Sequence, residues 1–201
     1  MSTQTNSLQD LKKRIRIELL KRRKMLDCAW VARASDIIQQ KVLTLEEFSS
    51  ADTVFCYISV DNEVDTKLII EQTWKMQKNL CVPLFVPEFN EYKAVKFTAD
   101  MSLIPGHRGI PEPSANAYDF IPIEKVDIAI VPGIAFDQFG GRLGRGAGVY
   151  DTFLSSSRHS PFKVGLAFEM QVIDKVPMED NDVLMDAVIT EERLIRVSVH
   201  K

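Results

Sequence analysis

The fold class follows from one stretch, Asp127-Ile128-Ala129-Ile130-Val131-Pro132, whose continuous apolar run predicts a buried strand. Other apolar runs alternate along the chain with helical patterns. The predicted strands span residues 53–58, 80–86 and 163–168, and the predicted helices span residues 8–25, 29–45 and 66–78. This alternation is typical of an α/β domain, so we expect a three-layer α/β/α arrangement with a mostly parallel central sheet.

The remaining segments extend this sheet or cover it. Residues 94–97 predict an antiparallel addition, and residues 186–190 and 194–197 predict two short final strands. Pro83 lacks a backbone N–H, so the strand at 80–86 is predicted to be weak or to lie at an edge. Residues 105–122 are rich in Pro and Gly and predict a long surface loop. We expect a single domain over residues 1–201.

Composition narrows the classes of partner. The net charge of −3 argues against general attraction to nucleic acid. Three widely spaced cysteines, Cys28, Cys56 and Cys81, predict small apolar side chains in a reducing compartment, not a disulfide or metal site. The polar N-terminus has no secretory pattern, and no apolar run approaches the roughly 20 residues that span a bilayer. We expect a cytoplasmic monomer that binds small molecules, not nucleic acid or membranes.

Five of the nine glycines fall within one window, Gly140-Gly141-Arg142-Leu143-Gly144-Arg145-Gly146-Ala147-Gly148. Such a loop can present backbone N–H groups to an anion, and Arg142 and Arg145 add cationic forks. A helix predicted at 149–157 would add its N-terminus to the same anion site. The window matches neither a P-loop nor a dinucleotide fingerprint. It therefore predicts a phosphate-binding loop, and a flexible surface turn is the alternative.

The residues around this loop carry a more specific pattern. Val131-Pro132-Gly133-Ile134-Ala135-Phe136-Asp137, followed by Gly140-x-Arg142-Leu143-Gly144-x-Gly146-x-Gly148-x-Tyr150-Asp151, resembles the signature of the 5-formyltetrahydrofolate cyclo-ligase family. Weaker pieces of the resemblance occur in the same order along the chain. They are Lys12-x-x-x-Arg16, Ser59 to Glu63, Gly109-Ile110-Pro111-Glu112-Pro113 and Asp186.

The resemblance implies an activity as well as a fold. Members of the family are single α/β/α domains that use ATP and Mg²⁺ to convert 5-formyltetrahydrofolate to 5,10-methenyltetrahydrofolate, releasing ADP and phosphate. Phosphorylation of the formyl oxygen creates a leaving group, and N10 of the folate then closes the ring. Phosphoryl transfer depends mainly on positioning and charge stabilisation, so a backbone loop, arginines and a metal suffice.

The resemblance also assigns site residues. It implies nucleotide binding by Lys12, Lys13, Arg14, Ile15, Arg16, Arg142, Leu143, Gly144, Arg145, Gly146, Ala147, Gly148, Val149 and Tyr150. It implies folate binding by Arg16, Ile58, Glu63, Arg145, Gly146, Ala147, Gly148 and Val149. Arg145 is the expected catalytic residue, because it would neutralise the transferring phosphate. Asp151 and Asp186 are the expected magnesium ligands, and Mg²⁺ commonly takes one or two carboxylates plus phosphate oxygens.

Several of these residues have simpler interpretations. The first helix carries eight basic residues between Lys12 and Lys24, which predict a solvated basic face except at Lys12 and Arg16. Its buried stripe is predicted to be Leu8, Leu11, Ile15 and Leu19, with Ser7 as the N-cap. Glu63 suits the adjacent N–H donors of a pterin, although it could belong to an exposed acidic loop. His107 and Arg108 could contact substrate.

Two departures from the family pattern concern the loop itself. Ala147 stands where relatives often carry Lys or Gly, and Val149 replaces an aromatic residue. Two further hypotheses also fit the fold and the charge pattern. One is a sugar-phosphate isomerase or acyl transferase, and the other is a folate- or nucleic-acid-binding module without turnover.

Overall fold

The computed structural model describes residues 2–115, 117–146, 150, 154 and 160–198. Its α-helices are α1 (Ser2–Lys24), α2 (Cys28–Leu43), α3 (Glu46–Ser50) and α4 (Lys67–Lys75). Its strands are β1 (Thr53–Cys56), β2 (Asn79–Val86), β3 (Glu91–Lys96), β4 (Ser102–Pro105), β5 (Pro111–Ser114), β6 (Ile128–Pro132), β7 (Ala135–Phe136), β8 (Arg142–Leu143), β9 (Phe162–Leu166), β10 (Ala187–Ile189) and β11 (Leu194–Arg196).

Seven of these strands form one sheet in the order β11-β10-β9-β6-β1-β2-β3. The five inner strands pair in parallel, whereas the outer strands β3 and β11 are antiparallel to their neighbours. The sheet is flanked by helices, so the predicted α/β class with a mostly parallel sheet is confirmed. Among the described residues, no helix combines the length and apolarity that crossing a bilayer requires.

The central strands are buried on both faces because their side chains alternate between two apolar clusters. Ile128 and Ile130 of β6 join the cluster that α2, α3 and α4 cover, with Ile38, Phe48 and Ile69. Ala129 and Val131 face the opposite side, where the cluster includes Phe136, Leu154 and Met185. This alternation is the period of two that a strand imposes, and it explains the continuous apolar run in the sequence.

Pro83 lies inside the sheet, not at its edge. β2 pairs with β1 only from Asn79 to Cys81, and Pro83 then faces Ala94 of β3. The missing N–H of Pro83 therefore falls beyond the segment that β1 occupies, and an interior strand can accept it.

The segment at 105–122 is not a plain loop, because β4 and β5 form an antiparallel hairpin across it. A second hairpin, β7–β8, pairs Ala135 with Leu143 and Phe136 with Arg142. Both hairpins consist of short strands in Pro- and Gly-rich sequence, where no hydrophobic alternation reveals them. Tyr150 and Leu154 are helical, and the other residues of the helix predicted at 149–157 lie outside the described residues.

The first helix buries a different face from the predicted one. It begins at Ser2, so Ser7 lies within the helix and is not an N-cap. Leu11 is 43% exposed, whereas Lys12, Leu19 and Arg23 are each below 5% exposed. Residues 12, 16, 19 and 23 share one helical face, and on this face charged side chains replace part of the expected leucine stripe.

The cysteines match the prediction only in part. Cys56 and Cys81 are buried in the sheet, and burial raises the pKa of both thiols, so they are chemically quiet at neutral pH. Cys28 is exposed at the first position of α2.

Candidate active site

A cavity of about 460 Å³ opens at the carboxyl ends of β1 and β6. Parallel sheets usually bind ligands at this edge, because the loops that leave the strands converge there. Its lining comes from α1, the loop after β1, β3, the two hairpins, Tyr150 and the segment before β10. The residues are Gln9, Lys12, Arg16, Ile58, Val60, Glu63, Tyr92, Arg108, Ile110, Pro132, Gly133, Arg142, Leu143, Gly144, Arg145, Gly146, Tyr150, Glu179 and Asp182.

Glu63 is the buried acid on one side of this cavity, with a side chain only 8% exposed. Its Oε2 accepts a hydrogen bond from the Val60 N–H at 3.2 Å. Its Oε1 lies 2.8 Å from the Arg145 guanidinium and 3.7 Å from that of Arg23. Burial lowers the pKa of Arg145, but the charges of Glu63 and Asp61 more than offset this, and the pKa is raised. Arg145 is therefore a permanent cation that faces the cavity.

Arg142 is a buried cation of the cavity wall, being 4% exposed. It lies on β8, from which its Nη1 donates to the Pro132 carbonyl at 3.4 Å, and its guanidinium lies 5.6 Å from the centre of the Tyr150 ring. The turn of the hairpin is held by Asp137, which accepts from the N–H groups of Phe139, Gly141 and Val176. Asp137 belongs to the quoted signature, but its role as the anchor of this turn emerges only from the folded chain.

The glycine-rich loop and α1 share one wall. Arg16 Nε donates to the Gly144 carbonyl at 2.9 Å. Gly146 has a φ of +100°, in the region that favours glycine, and a Cβ there would lie 3.5 Å from the Arg16 guanidinium. The loop therefore turns closely against Arg16, which brings together two segments far apart in the sequence.

Lys12 lies in the same wall, where two carboxylates hold it. Its Nζ is 2.9 Å from Glu179 and 2.7 Å from Asp182. Burial opposes its positive charge, yet hydrogen bonds to Asp182 and Glu179 raise the pKa of Lys12 above its usual value. Burial also opposes the charge of Asp182, but its bonds to Lys12 and to the Glu179 N–H lower the pKa of that carboxyl. Sequence reasoning assigned no role to either carboxylate.

The other predicted positions of α1 point elsewhere. Lys13 and Arg14 are exposed and do not line the cavity. Ile15 packs beside the apolar cluster of Leu19 and Leu143. Of the five consecutive positions assigned to nucleotide, the structure brings only Lys12 and Arg16 to the cavity.

The structure does not bring Asp186 to this cavity. Asp186 immediately precedes β10, at the amino end of that strand, whereas the cavity lies at the carboxyl ends. Its carboxylate accepts from the Lys163 N–H at 2.7 Å and pairs with Lys163 Nζ at 2.7 Å. This position does not support the predicted role of Asp186 at a magnesium ion bound to the nucleotide phosphates. The predictions for Ala147, Gly148, Val149 and Asp151 lie outside the described residues.

One side of the cavity comes from a segment that the sequence analysis treated as loop. Arg108 and Ile110 of this segment line the cavity, next to Tyr92 of β3. His107 does not line it, but its ring stacks on Phe85 at 3.7 Å and accepts a hydrogen bond from Arg108 Nε at 3.1 Å. Arg108 has a φ of +55°, which is uncommon for a residue with a side chain. The signal that could have found this wall was the cluster of Gly106, Gly109 and the prolines around it.

A parallel sheet with an acid and several arginines in one cavity at its carboxyl edge defines an α/β enzyme with an anion-binding active site. The chain belongs to the 5-formyltetrahydrofolate cyclo-ligase family, whose sequence profile matches residues 9–191. This finding confirms the resemblance seen in the sequence.

Individual relatives support the same assignment. The 5-formyltetrahydrofolate cyclo-ligase of Haemophilus influenzae is 33% identical over 181 residues, which cover 89% of this chain and 97% of that protein. The protein of the same name from Escherichia coli K12 is 31% identical over 156 residues, which cover 77% of this chain and 86% of that protein. The structure of the Aquifex aeolicus 5,10-methenyltetrahydrofolate synthetase superposes with a TM-score of 0.82 at 31% identity, covering 95% of both chains.

Proposed function

We propose that this protein converts 5-formyltetrahydrofolate to 5,10-methenyltetrahydrofolate, with ATP as the phosphoryl donor. The observation that carries the proposal is that one cavity contains both the buried Glu63 carboxylate and a set of cations drawn from α1 and the glycine-rich loop. The family and the relatives' names support the folate reaction. The cations support a phosphate-bearing second substrate.

The acid side of the cavity suits the pterin. A pterin presents an amino group and a ring N–H as adjacent donors, and one carboxylate can accept from both. Glu63 is fixed by the Val60 N–H and lies beside Ile58, whose apolar side chain can cover the ring. We propose that Glu63 orients the pterin and that Ile58 packs against it.

The cationic side suits the nucleotide. Arg142 is fixed in the wall, Arg16 is bonded to Gly144, and Arg145 is half exposed to the cavity. Lys12 lies in the same wall, where Glu179 and Asp182 hold its ammonium group. Ile58, Leu143, Gly144, Gly146 and Tyr150 shape the space between the two sides. We propose that these cations bind the phosphates and that Arg145, which pairs with Glu63 and belongs to the glycine-rich loop, neutralises the phosphoryl group in transfer.

The proposed reaction has two steps, which this placement would serve. The formyl oxygen attacks the γ-phosphorus, and the bond to the β-phosphate oxygen breaks to release ADP. N10 then attacks the formyl carbon and loses its proton, and the carbon–oxygen bond breaks with departure of phosphate. The oxygen of the formyl group thus leaves in the phosphate. The protein's part is positioning and charge stabilisation, and no covalent enzyme intermediate is needed.

Magnesium dependence belongs to this proposal, because Mg²⁺ normally accompanies ATP and takes most of its ligands from phosphate oxygens and water. The predicted protein ligands do not form a site in the described part of the chain. Asp186 is paired with Lys163, and no group of three potential ligand residues occurs among the described residues. Asp151 remains the sequence-based candidate for a metal ligand.

We also propose that the protein acts as a cytoplasmic monomer. The direct test of function combines the protein with 5-formyltetrahydrofolate, ATP and Mg²⁺ and follows methenyl product by absorbance and ADP by a coupled assay. The expected result is product and ADP in equal amounts, with neither formed when one substrate is omitted. Folate binding without ADP release would instead favour a binding module, and turnover without folate would favour different chemistry.

A further inference from the structure

The Glu63 carboxylate has two arginine partners that differ in freedom. Both approach Oε1, Arg145 at 2.8 Å and Arg23 at 3.7 Å. The Arg145 side chain is 47% exposed and lines the cavity, whereas that of Arg23 is 5% exposed and does not. One cation can therefore move into the cavity while the other remains behind the acid.

Arg145 has a second task under the proposed function, on which this inference rests. An arginine that neutralises a transferring phosphoryl group cannot keep its full contact with Glu63 at the same time. Arg145 leaves Glu63 as phosphate binds, because the phosphate group carries more negative charge than one carboxylate. Glu63 is buried, so its carboxylate then needs another positive charge close by if it is not to be left unpaired while it faces the pterin donors.

Arg23 is built to remain in place. Its guanidinium is buried, and burial lowers its pKa while Glu63 opposes that effect. Glu63 is the one carboxylate that forms an ion pair with Arg23 among the described residues. The Arg23 carbonyl also accepts a hydrogen bond from the Asn62 side chain at 3.2 Å, which ties α1 to the loop that carries Glu63. Separation of Arg23 from Glu63 would leave a buried cation without a counter-ion, which proteins avoid.

We propose that Arg23 is a positioning residue for folate binding, acting through Glu63. It keeps the buried carboxylate paired and oriented toward the cavity when Arg145 moves to the phosphate. Arg145 is the movable partner and Arg23 the fixed one. Arg145 can therefore bind the phosphate while Arg23 stays paired with Glu63, which a single arginine could not do at the same time.

The test measures folate and nucleotide affinities separately. In Arg23→Met, which keeps the apolar bulk and removes the charge, the dissociation constant for 5-formyltetrahydrofolate rises about tenfold, while that for ADP stays unchanged. Arg22→Met is the matched control, because Arg22 is an exposed neighbour on the same helix, and it binds both ligands as the wild type does. A variant weakened only through poor folding would bind both ligands less well in proportion.

A double-mutant cycle identifies the route of the effect. In a Glu63→Gln background, Arg23→Met produces no further loss of folate affinity if Arg23 acts through Glu63. Circular dichroism and cooperative thermal unfolding establish that each variant is folded. If Arg23→Met does not fold, Arg23→Lys tests the proposal instead. A lysine keeps the charge but not the planar guanidinium, so we expect a folate affinity between those of wild type and a variant without the charge.

Two results overturn the proposal. One is wild-type folate affinity in folded Arg23→Met or, where only the lysine variant folds, in Arg23→Lys. The other is a loss that persists in full in the Glu63→Gln background. Failure of the proposed function itself looks different, since the wild-type protein would then bind no 5-formyltetrahydrofolate.

Discussion

Lys12 shows that a buried charge at the cavity depends on partners of opposite charge. Its ammonium group is almost excluded from solvent, and two carboxylates, Glu179 and Asp182, supply the compensation. The pKa of Lys12 is raised, so its contribution to stability is complete below 10.5 and is lost only as pH rises beyond that. The pKa of Asp182 is lowered, so its contribution is complete above 3.8 and is lost as pH falls through the folded-state value. Both contributions are present at neutral pH.

Asp182→Asn tests this ion pair. We expect the free energy of unfolding to fall by about 1–2 kcal/mol at pH 7, because Lys12 loses a charged hydrogen-bond partner in a buried site. The difference between variant and wild type should shrink as pH falls below 3.8, where the unfolded chain takes up the proton first, and should be lost only below the lowered pKa of the folded state. Urea unfolding at pH 7 and pH 3 measures both differences. An equal loss at the two pH values would show that the Asp182 charge is not responsible.

The elements that carry the cavity depend on close contacts between a hairpin and the sheet. Phe136 of β7 is fully buried, and its ring lies against two glycines, Gly133 and Gly165. A Cβ at Gly165 would lie 2.3 Å from the Phe136 ring, closer than atoms in proteins approach. Because Gly165 of β9 has no side chain, the β7–β8 hairpin can pack on the sheet and place Arg142 in the cavity wall.

Gly165→Ala should lower the free energy of unfolding by about 1–3 kcal/mol, because the methyl group overfills a packed interior. Phe136→Leu makes room beside the same strand. The double variant should therefore lose less stability than the sum of the two single changes. Urea unfolding of the four proteins gives these values. Strictly additive losses would mean that the two positions do not compete for the same space.

Sequence patterns predicted elements well where packing imposes a period. The strands at Thr53–Cys56 and Ile128–Pro132 are buried on both faces, and their apolar runs follow directly. The short strands of the two hairpins have no such run, because tertiary contacts such as that of Phe136 hold them. The boundaries of α1 and its buried face also differed from prediction, since charged partners elsewhere in the chain decide which face is buried.

The candidate site was predictable to a similar extent. Residue chemistry and the family signature identified Lys12, Arg16, Glu63, Arg142 and Arg145, which the fold brings to one cavity. Glu179 and Asp182 lie 167 and 170 residues from Lys12, and no local pattern links positions so far apart. Arg23 was predicted to belong to a solvated face, and only the approach of Glu63 shows otherwise. Asp186 matched the family by sequence alone, and its position beside Lys163 could not be foreseen.

The whole molecule joins remote segments at its cavity, so ligands should stabilise it globally. α1, the loop after β1, both hairpins and the segment before β10 all contribute lining residues. A ligand that bridges them binds the folded chain and not the unfolded one. Folate and nucleotide binding should therefore appear in the thermal unfolding of the entire domain.

At ligand concentrations of about 100 times Kd, 5-formyltetrahydrofolate should raise the free energy of unfolding by about 2.7 kcal/mol. This corresponds to a rise in Tm of roughly 5–10 °C for a domain of this size. ADP should act similarly, and the two ligands together should raise Tm further. Differential scanning calorimetry measures the shifts, with a sugar phosphate as the control ligand. A shift with the sugar phosphate and none with folate would contradict the assignment of this cavity.

The proposed function depends most directly on Arg145, which pairs with Glu63 and lines the cavity. The decisive measurement is the rate of methenyl product formation from 5-formyltetrahydrofolate and ATP by wild type, Arg145→Ala and Arg14→Ala. Arg14→Ala is the control, because Arg14 is exposed and does not line the cavity. We predict that Arg145→Ala lowers kcat by about 10²–10³ with its fold intact, as loss of a group that stabilises transition-state charge does. Arg14→Ala should retain the wild-type rate. Equal kcat values for wild type and folded Arg145→Ala would contradict the account.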